Sequence, residues 1–293
     1  MLARMVQQRA PQGLELYGYD LPDFDLTDRS LVTRVLAELK PRIIINCAAF
    51  TAVDDCEVQE ALATSVNADG VALLADIAHD LDATLVHIST DYVFPGTQSR
   101  PYSEDDPTGP VSAYGRSKLK GEQAIFESSL EKYFIIRTSW LYGPDGPNFV
   151  ETILRLAGER EELRIVSDQI GSPTFAGDLS DAIFKLLGLP TSPQSPAPSP
   201  FGIYHFADEG QCSWHEFTLQ IVALAGQHGI ALKVNKLLPI KTEEYPLPAS
   251  RPAYSVFDKK KYKQATGAVI PFWQDSLKEY FTLRGHKRCS QGT

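Results

Sequence analysis

Short runs of β-branched and aliphatic residues alternate along this chain with longer stretches whose apolar positions recur every three or four residues. Pro41 to Asn46 (PRIIIN), Thr84 to Ser89 (TLVHIS) and Tyr133 to Thr138 (YFIIRT) are of the first kind, Glu60 to Asp80 and Ser112 to Glu131 of the second. That order predicts a parallel sheet joined by crossover helices. Strands written as continuous apolar runs predict helices over both sheet faces. The expected fold is therefore α/β, a doubly wound parallel sheet. Leu14 to Tyr17 reads as a further strand, and Asp28 as the N-cap of a helix over Arg29 to Leu39, stopped by Pro41. Beyond residue 145 the pieces shorten: helices near Phe149 to Arg160, Gly177 to Leu187 and Trp214 to Gly226, strands at Leu163 to Val166 and Ile203 to Phe206.

Composition narrows the possible classes without changing that picture. The chain has 293 residues, 43% hydrophobic and 22% charged, which is ordinary globular usage. Its apolar runs are far shorter than the ~18–20 residues of a membrane span, and residues 1–10 carry no secretory pattern, so the expectation is no membrane and a cytoplasmic setting. The net charge of -9, with scattered basic residues, repels a nucleic-acid backbone, so no nucleic-acid partner is expected. Cys47, Cys56, Cys212 and Cys289 have no CxxC or Cys/His spacing and read as reduced thiols. Residues 189–200 (LPTSPQSPAPSP) are Pro/Ser-rich and aperiodic, read as a mobile surface insertion. Residues 284–293 read as a frayed tail.

Tyr114 and Lys118 stand four apart on a predicted helix and so project from one face. A phenol with an ammonium nearby can serve as acid or base at a carbonyl; an exposed Tyr and Lys on an ordinary helix would look the same. The helix follows a strand that ends in Ser89-Thr90-Asp91, at the carboxyl end where open α/β sheets collect ligands, although such residues also make plain turns. Asn46-Cys47-Ala48-Ala49 ends another strand with small residues, suited either to close cofactor approach or to tight packing. Asp20 and Asp25 follow the apparent strand at Leu14 to Tyr17, where a carboxylate can accept from a ribose hydroxyl or simply lead into a helix cap. His87, inside an apolar strand, reads as a core histidine and is assigned no chemistry.

In combination and order, DLTD (25–28), INCAAFTAVD (45–54), VNADG (66–70), HISTDYVFPG (87–96), YGRSKLKGE (114–122), RTSWLYG (137–143), DQIGSPT (168–174), GIYHF (202–206) and RPAYS (251–255) resemble the dTDP-4-dehydrorhamnose reductase family of extended short-chain dehydrogenases. The resemblance runs nearly end to end. It implies a Rossmann-like dinucleotide-binding domain over 1–145, with segments at about 168–190 and 230–258 returning to it, and a smaller α/β substrate domain mainly within 146–293.

It also implies that Tyr114 gives the proton, Lys118 tunes it and contacts the nicotinamide ribose, and Thr90 completes the triad. Thr90, Asp91 and Trp140 would touch the deoxysugar of a nucleotide-deoxysugar substrate and, most loosely, Arg251 its diphosphate. Asp20, Asp25, Leu26, Ala48, Ala49 and Phe50 would line the cofactor, NADPH or NADH; Asp20 would repel a 2'-phosphate and so leans towards NADH. A homodimer is implied, and no metal is carried over, because residues 1–9 hold no acidic side chain.

The chain departs from this family at its beginning. The first strand and the Gly-rich turn that would hold a pyrophosphate are missing from residues 1–293, and Met1 to Arg9 resembles the family's first helix just after that turn. The expectation is an N-terminally truncated reading, begun at an internal methionine. A second reading within the same superfamily is a non-catalytic pyridine-nucleotide-binding regulatory subunit resembling that of methionine adenosyltransferase. The loss of the turn favours it; the intact Thr90, Tyr114 and Lys118 oppose it.

Overall fold

The computed structural model describes residues 1–189 and 198–290, with side chains to 285. In chain order it contains α1 (Leu2–Arg9), α2 (Arg29–Leu39), β1 (Ile43–Asn46), α3 (Val53–Val58), α4 (Glu60–Thr64), α5 (Gly70–Asp80), β2 (Thr84–Thr90), α6 (Ala113–Glu127), β3 (Tyr133–Thr138) and β4 (Leu141–Tyr142). There follow α7 (Phe149–Glu159), β5 (Glu162–Val166), β6 (Ile170–Gly171), β7 (Thr174–Phe175), α8 (Ala176–Leu186), β8 (Gly202–His205), β9 (Cys212–Ser213), α9 (Trp214–Gln227), β10 (Lys236–Ile240), α10 (Lys260–Thr266) and α11 (Trp273–Ser290).

The main sheet is parallel with strand order β1-β2-β3-β8. Successive strand residues face opposite sides, and the sequence supplies apolar groups for both. Val86, Phe134 and Ile136 point into a core shared with α1, α7, α8, α9 and α11. Ile44, Leu85 and Ile135 point into another shared with α2, α5 and α6. This is the expected α/β sheet with both faces covered. Three smaller two-stranded sheets pair β5 with β10, β4 with β7 and β6 with β9.

Several expectations need correction. Leu14 to Tyr17 forms no strand: Leu16 and Tyr17 are exposed, and the segment pairs with none of the described strands. Of the segments expected to return to the first domain, α8 packs on the main sheet. Lys236–Ile240 within 230–258 pairs instead with Glu162–Val166, in a separate sheet. The strand that joins the main sheet late is β8, beside β3. The tail does not fray at Arg284, which binds Glu151 through Nε at 2.6 Å while α11 continues to Ser290. Of the insertion at 189–200, residues 190–197 lie outside the described residues.

Glu60 to Asp80 is helical throughout, and by length and composition alone it is apolar enough to cross a membrane, although no apolar run is continuous through it. Here it packs its apolar side into the core under the sheet. Its hydrogen-bonding changes to a π turn at Ser65–Asp69, a feature that often marks functional regions. The buried Asn67 in that turn accepts from Phe50 N (2.8 Å) and donates to Phe50 O (3.0 Å) and Ser117 Oγ (2.9 Å). It thereby ties the loop after β1 to α6. Gly121 permits this, because a Cβ there would collide with the Asn67 carbonyl.

Candidate active site

The site lies at the carboxyl ends of β1, β2 and β3, where parallel strand ends leave a crevice. Helix α6 starts at Ser112, whose hydroxyl accepts from Gly115 N at 3.1 Å. Gly115 packs against the Tyr92 carbonyl, closer than any Cβ would allow. That close approach brings Tyr114 within hydrogen-bonding reach of Thr90. Tyr114 stays partly accessible, but burial around the hydroxyl holds its pKa above the ordinary phenol value, with the nearby Thr90 hydroxyl acting the other way. Thr90 Oγ1 is 3.0 Å from Asp91 Oδ1 and accepts from Tyr92 N at 3.2 Å. Burial pushes the Asp91 carboxyl up to about 6, opposed by hydrogen bonds from Ser255 and Thr90. Thr90, Asp91 and Tyr114 thus form one cluster.

Lys118 belongs to the same helix face but is turned deeper than expected. It is 1% exposed. Its Nζ donates to Ile88 O (2.7 Å) and lies 3.2 Å from His87 Nε2. Burial lowers its pKa to about 8, with Glu122 opposing. The hydrogen bonds of Lys118 thus run to β2, to Ile88 O and towards His87.

Beneath the cluster, Glu122 and Arg137 form a buried ion pair, 0% and 3% exposed, with Nη2–Oε2 at 2.6 Å. Ser89 Oγ also donates to Glu122, and Arg137 lies over the Phe94 ring. The sequence reading assigned neither residue a role; both lay within quoted motifs, but an ion pair across α6 and β3 is a contact that spacing does not reveal. The same holds for Asn67 and His87.

The remaining candidates divide. Trp140 has a positive φ of 48°, uncommon for a bulky residue and a conformation the surroundings must hold. Its ring stacks on Trp214 at 3.4 Å and 7°, and Gly171 lies against its other atoms where a side chain would collide. Arg251 is paired with Asp54, Nη1–Oδ1 at 3.1 Å and Nη2–Oδ2 at 2.8 Å, and also donates to Ala249 O. The guanidinium holds the Asp54 carboxyl below its usual range.

Ala48, Ala49 and Phe50 follow β1 at the crevice, with Ala48 N donating to Asn46 Oδ1 at 3.0 Å. Asp20 and Asp25 stand apart in an exposed loop: Asp20 Oδ1 accepts from Leu21 N, and Asp25 Oδ1 from Thr27 N and Oγ1. Leu26 sends its side chain into the core beside Gly70, leaving only its backbone for a ligand. The Cys47 and Cys56 thiols are pushed by burial up to about 12 and about 11, which keeps them protonated and unreactive.

A parallel sheet covered on both faces, with a polar cluster at its strand ends, defines a Rossmann-like α/β protein with its candidate site at those ends. Comparison with known proteins sharpens this. The family described as RmlD substrate binding domain matches residues 2–284. A dTDP-4-dehydrorhamnose reductase of Burkholderia thailandensis is 42% identical over 252 residues, covering 85% of this chain and 84% of that protein. The crystal structures of dTDP-4-dehydrorhamnose reductases from Clostridium acetobutylicum and from Bacillus anthracis, the latter in complex with NADP, each align with a TM-score of 0.87 and 41% identity, over 96% of this chain and 95% of theirs. The chain belongs to the dTDP-4-dehydrorhamnose reductase family, whose model it matches over almost its whole length. The non-catalytic regulatory reading is not favoured by these relatives.

Proposed function

We propose that this protein reduces the C4 keto group of dTDP-4-dehydrorhamnose (dTDP-4-dehydro-6-deoxy-L-mannose) to dTDP-L-rhamnose, using NADPH or NADH. The observation that carries the reading is the placing of Tyr114, on α6, near Thr90 at the carboxyl end of β2, where Thr90 binds the buried Asp91. The residues present suit the nicotinamide-ribose end of such a cofactor: the partly accessible Tyr114 and the small residues Ala48 and Ala49 stand near the strand ends, and the Lys118 amine is buried one turn further along the Tyr114 helix. When bound, the reduced nicotinamide supplies the hydride that goes to the sugar carbon. No residue is assigned to the pyrophosphate, since residues 1–293 contain no G-x-G-x-x-G turn.

The chain's own groups handle the oxygen. Burial keeps the Tyr114 phenol protonated, the state from which it can give a proton to the carbonyl oxygen as charge builds there. The Thr90 hydroxyl holds that phenol in place and can hydrogen-bond the same oxygen. Asp91 and Trp140 border the sugar. Arg251 uses three of its five N–H donors on Asp54 and Ala249, leaving the others for the diphosphate. Asp20, Asp25 and Leu26 complete the cofactor side. A cytoplasmic setting and a homodimer belong to the same reading, supported by the buried, protonated thiols and by the family.

Tyr114→Phe removes the transferable proton and little else. Turnover of dTDP-4-dehydrorhamnose, followed by NADPH oxidation, should fall by roughly 10²–10⁴-fold with the fold unchanged by circular dichroism. It is measured on residues 1–293 and on a chain that adds an upstream strand and Gly-rich turn. Near-wild-type turnover would place the acid elsewhere.

A further inference from the structure

His87 is completely buried in the middle of β2, and both of its ring nitrogens face groups that ordinarily donate. On one side Asn46 Nδ2 is 3.2 Å from Nδ1; on the other Lys118 Nζ is 3.2 Å from Nε2. The strand register makes the first contact unavoidable, because Asn46 on β1 lies directly beside His87 on β2. The amide is not free to turn without consequence. Its Oδ1 accepts the backbone N–H of Ala48 at 3.0 Å, and that choice points the NH2 group at the imidazole.

A neutral imidazole has one donor and one acceptor, so these contacts constrain one another. While Asn46 donates to Nδ1, the ring proton must be on Nε2, directed at Nζ, and only an uncharged amine has a lone pair to receive it. If Lys118 is an ammonium, Nε2 must be the acceptor and the proton moves to Nδ1. The Asn46 amide must then rotate to present Oδ1 to Nδ1–H, and Ala48 N–H loses its acceptor. A doubly protonated ring is disfavoured, since burial and the neighbouring Lys118 hold the His87 pKa well below its ordinary value.

We propose that His87 and Asn46 are positioning residues that couple the charge state of Lys118 to the hydrogen bonding of the Ala48 backbone N–H in the crevice. Each Lys118 charged takes up a net single proton from solvent, switches the His87 tautomer and frees the Ala48 donor for an acceptor atom on a ligand. By reciprocity, a ligand that accepts from Ala48 N–H favours the charged amine. Lys118 is suited to such a switch because burial brings it to about 8. The ionisable groups around it are His87 on β2, Tyr114 one turn earlier, and Glu122 one turn later, itself paired with Arg137 on β3; Asp91 lies beyond Tyr114. The catalytic importance of the coupling rests on the proposed reductase reading, whereas the coupling itself does not.

The test is therefore spectroscopic and needs no substrate. The chain is labelled with 15N-histidine, and the ring nitrogens of its six histidines are followed by NMR between about pH 6 and about pH 10, with His87→Gln used to assign the His87 signals. The expected result is the Nε2–H tautomer at high pH, changing to Nδ1–H as the pH falls through about 8, with no imidazolium. A single unchanging tautomer, or ordinary protonation of His87 near neutral pH, overturns the proposal. In Asn46→Asp a carboxylate replaces the amide and demands a donor, so His87 should stay Nδ1–H throughout; an Nε2–H ring in that variant also overturns it. Should the variant fail to fold, the titration of the unmodified chain decides alone. A tautomer switch in a protein that does not reduce the nucleotide sugar would sink the functional reading and leave this one standing.

Discussion

Arg137→Met tests how far the buried ion pair under the site supports the fold. Arg137 donates to Glu122 from Nε (3.0 and 3.2 Å) and from Nη2 (2.6 Å). Glu122 has no exposed surface, and without the guanidinium it keeps only the Ser89 hydroxyl. Removing one partner of such a pair leaves a buried charge with little to compensate it, and costs about 3–5 kcal/mol. Met replaces most of the Arg stem over Phe94, so lost packing adds little. The companion double variant, Glu122→Leu with Arg137→Met, removes both charges. It should recover most of the loss, ending about 1–2 kcal/mol below the unmodified protein, because Ser89 and His205 still lose partners. Urea unfolding followed by far-ultraviolet circular dichroism measures all variants, read as midpoints and slopes. A single variant within about 1 kcal/mol of the parent, or a double variant no better than the single, would refute the view that an orphaned charge is the dominant cost.

Two further outcomes follow from the site. Asp91 titrates near 6 in the fold, above the ~3.9 of an unfolded aspartate. Its contribution is therefore full below that lower value and lost as pH rises through about 6. Asp91→Asn should then be more stable than the parent at about pH 8, by on the order of 1–3 kcal/mol, and nearly equal to it at about pH 4. Thermal unfolding at both pH values checks this, and an identical difference at each would remove Asp91 as a destabilised carboxylate. Trp214→Ala strips the ring stacked on Trp140; since such pairs are worth about 0.5–1.5 kcal/mol, KM for the nucleotide sugar should rise up to about tenfold with kcat less affected. The exciton signal of the paired indoles should vanish from the circular dichroism, and an unchanged KM would show that Trp140 needs no support.

The alternation of apolar strands and amphipathic helices was enough to determine a parallel α/β sheet covered on both faces, because Phe134, Ile135 and Ile136 must each find an apolar layer whichever way they point. Four-residue spacing placed Tyr114 and Lys118 on one helix face, and the strand end at Thr90 marked the crevice. These are local properties, set by helical and strand periods. What only the tertiary structure decided are contacts between distant elements. Leu14–Tyr17 has strand-like residues but no ladder partner, and pairing is a property of two segments. Lys118 faces the tyrosine's helix side yet spends its hydrogen bonds on Ile88 and His87, since burial of an amine rewards the nearest acceptors. Arg251 proved to be clasped by Asp54, almost two hundred residues away. His87 read as an inert core residue until the register of β1 on β2 set Asn46 against one nitrogen and α6 set Lys118 against the other. The period of a single element tells which face a side chain takes; its partner across the sheet is chosen by how all the elements pack.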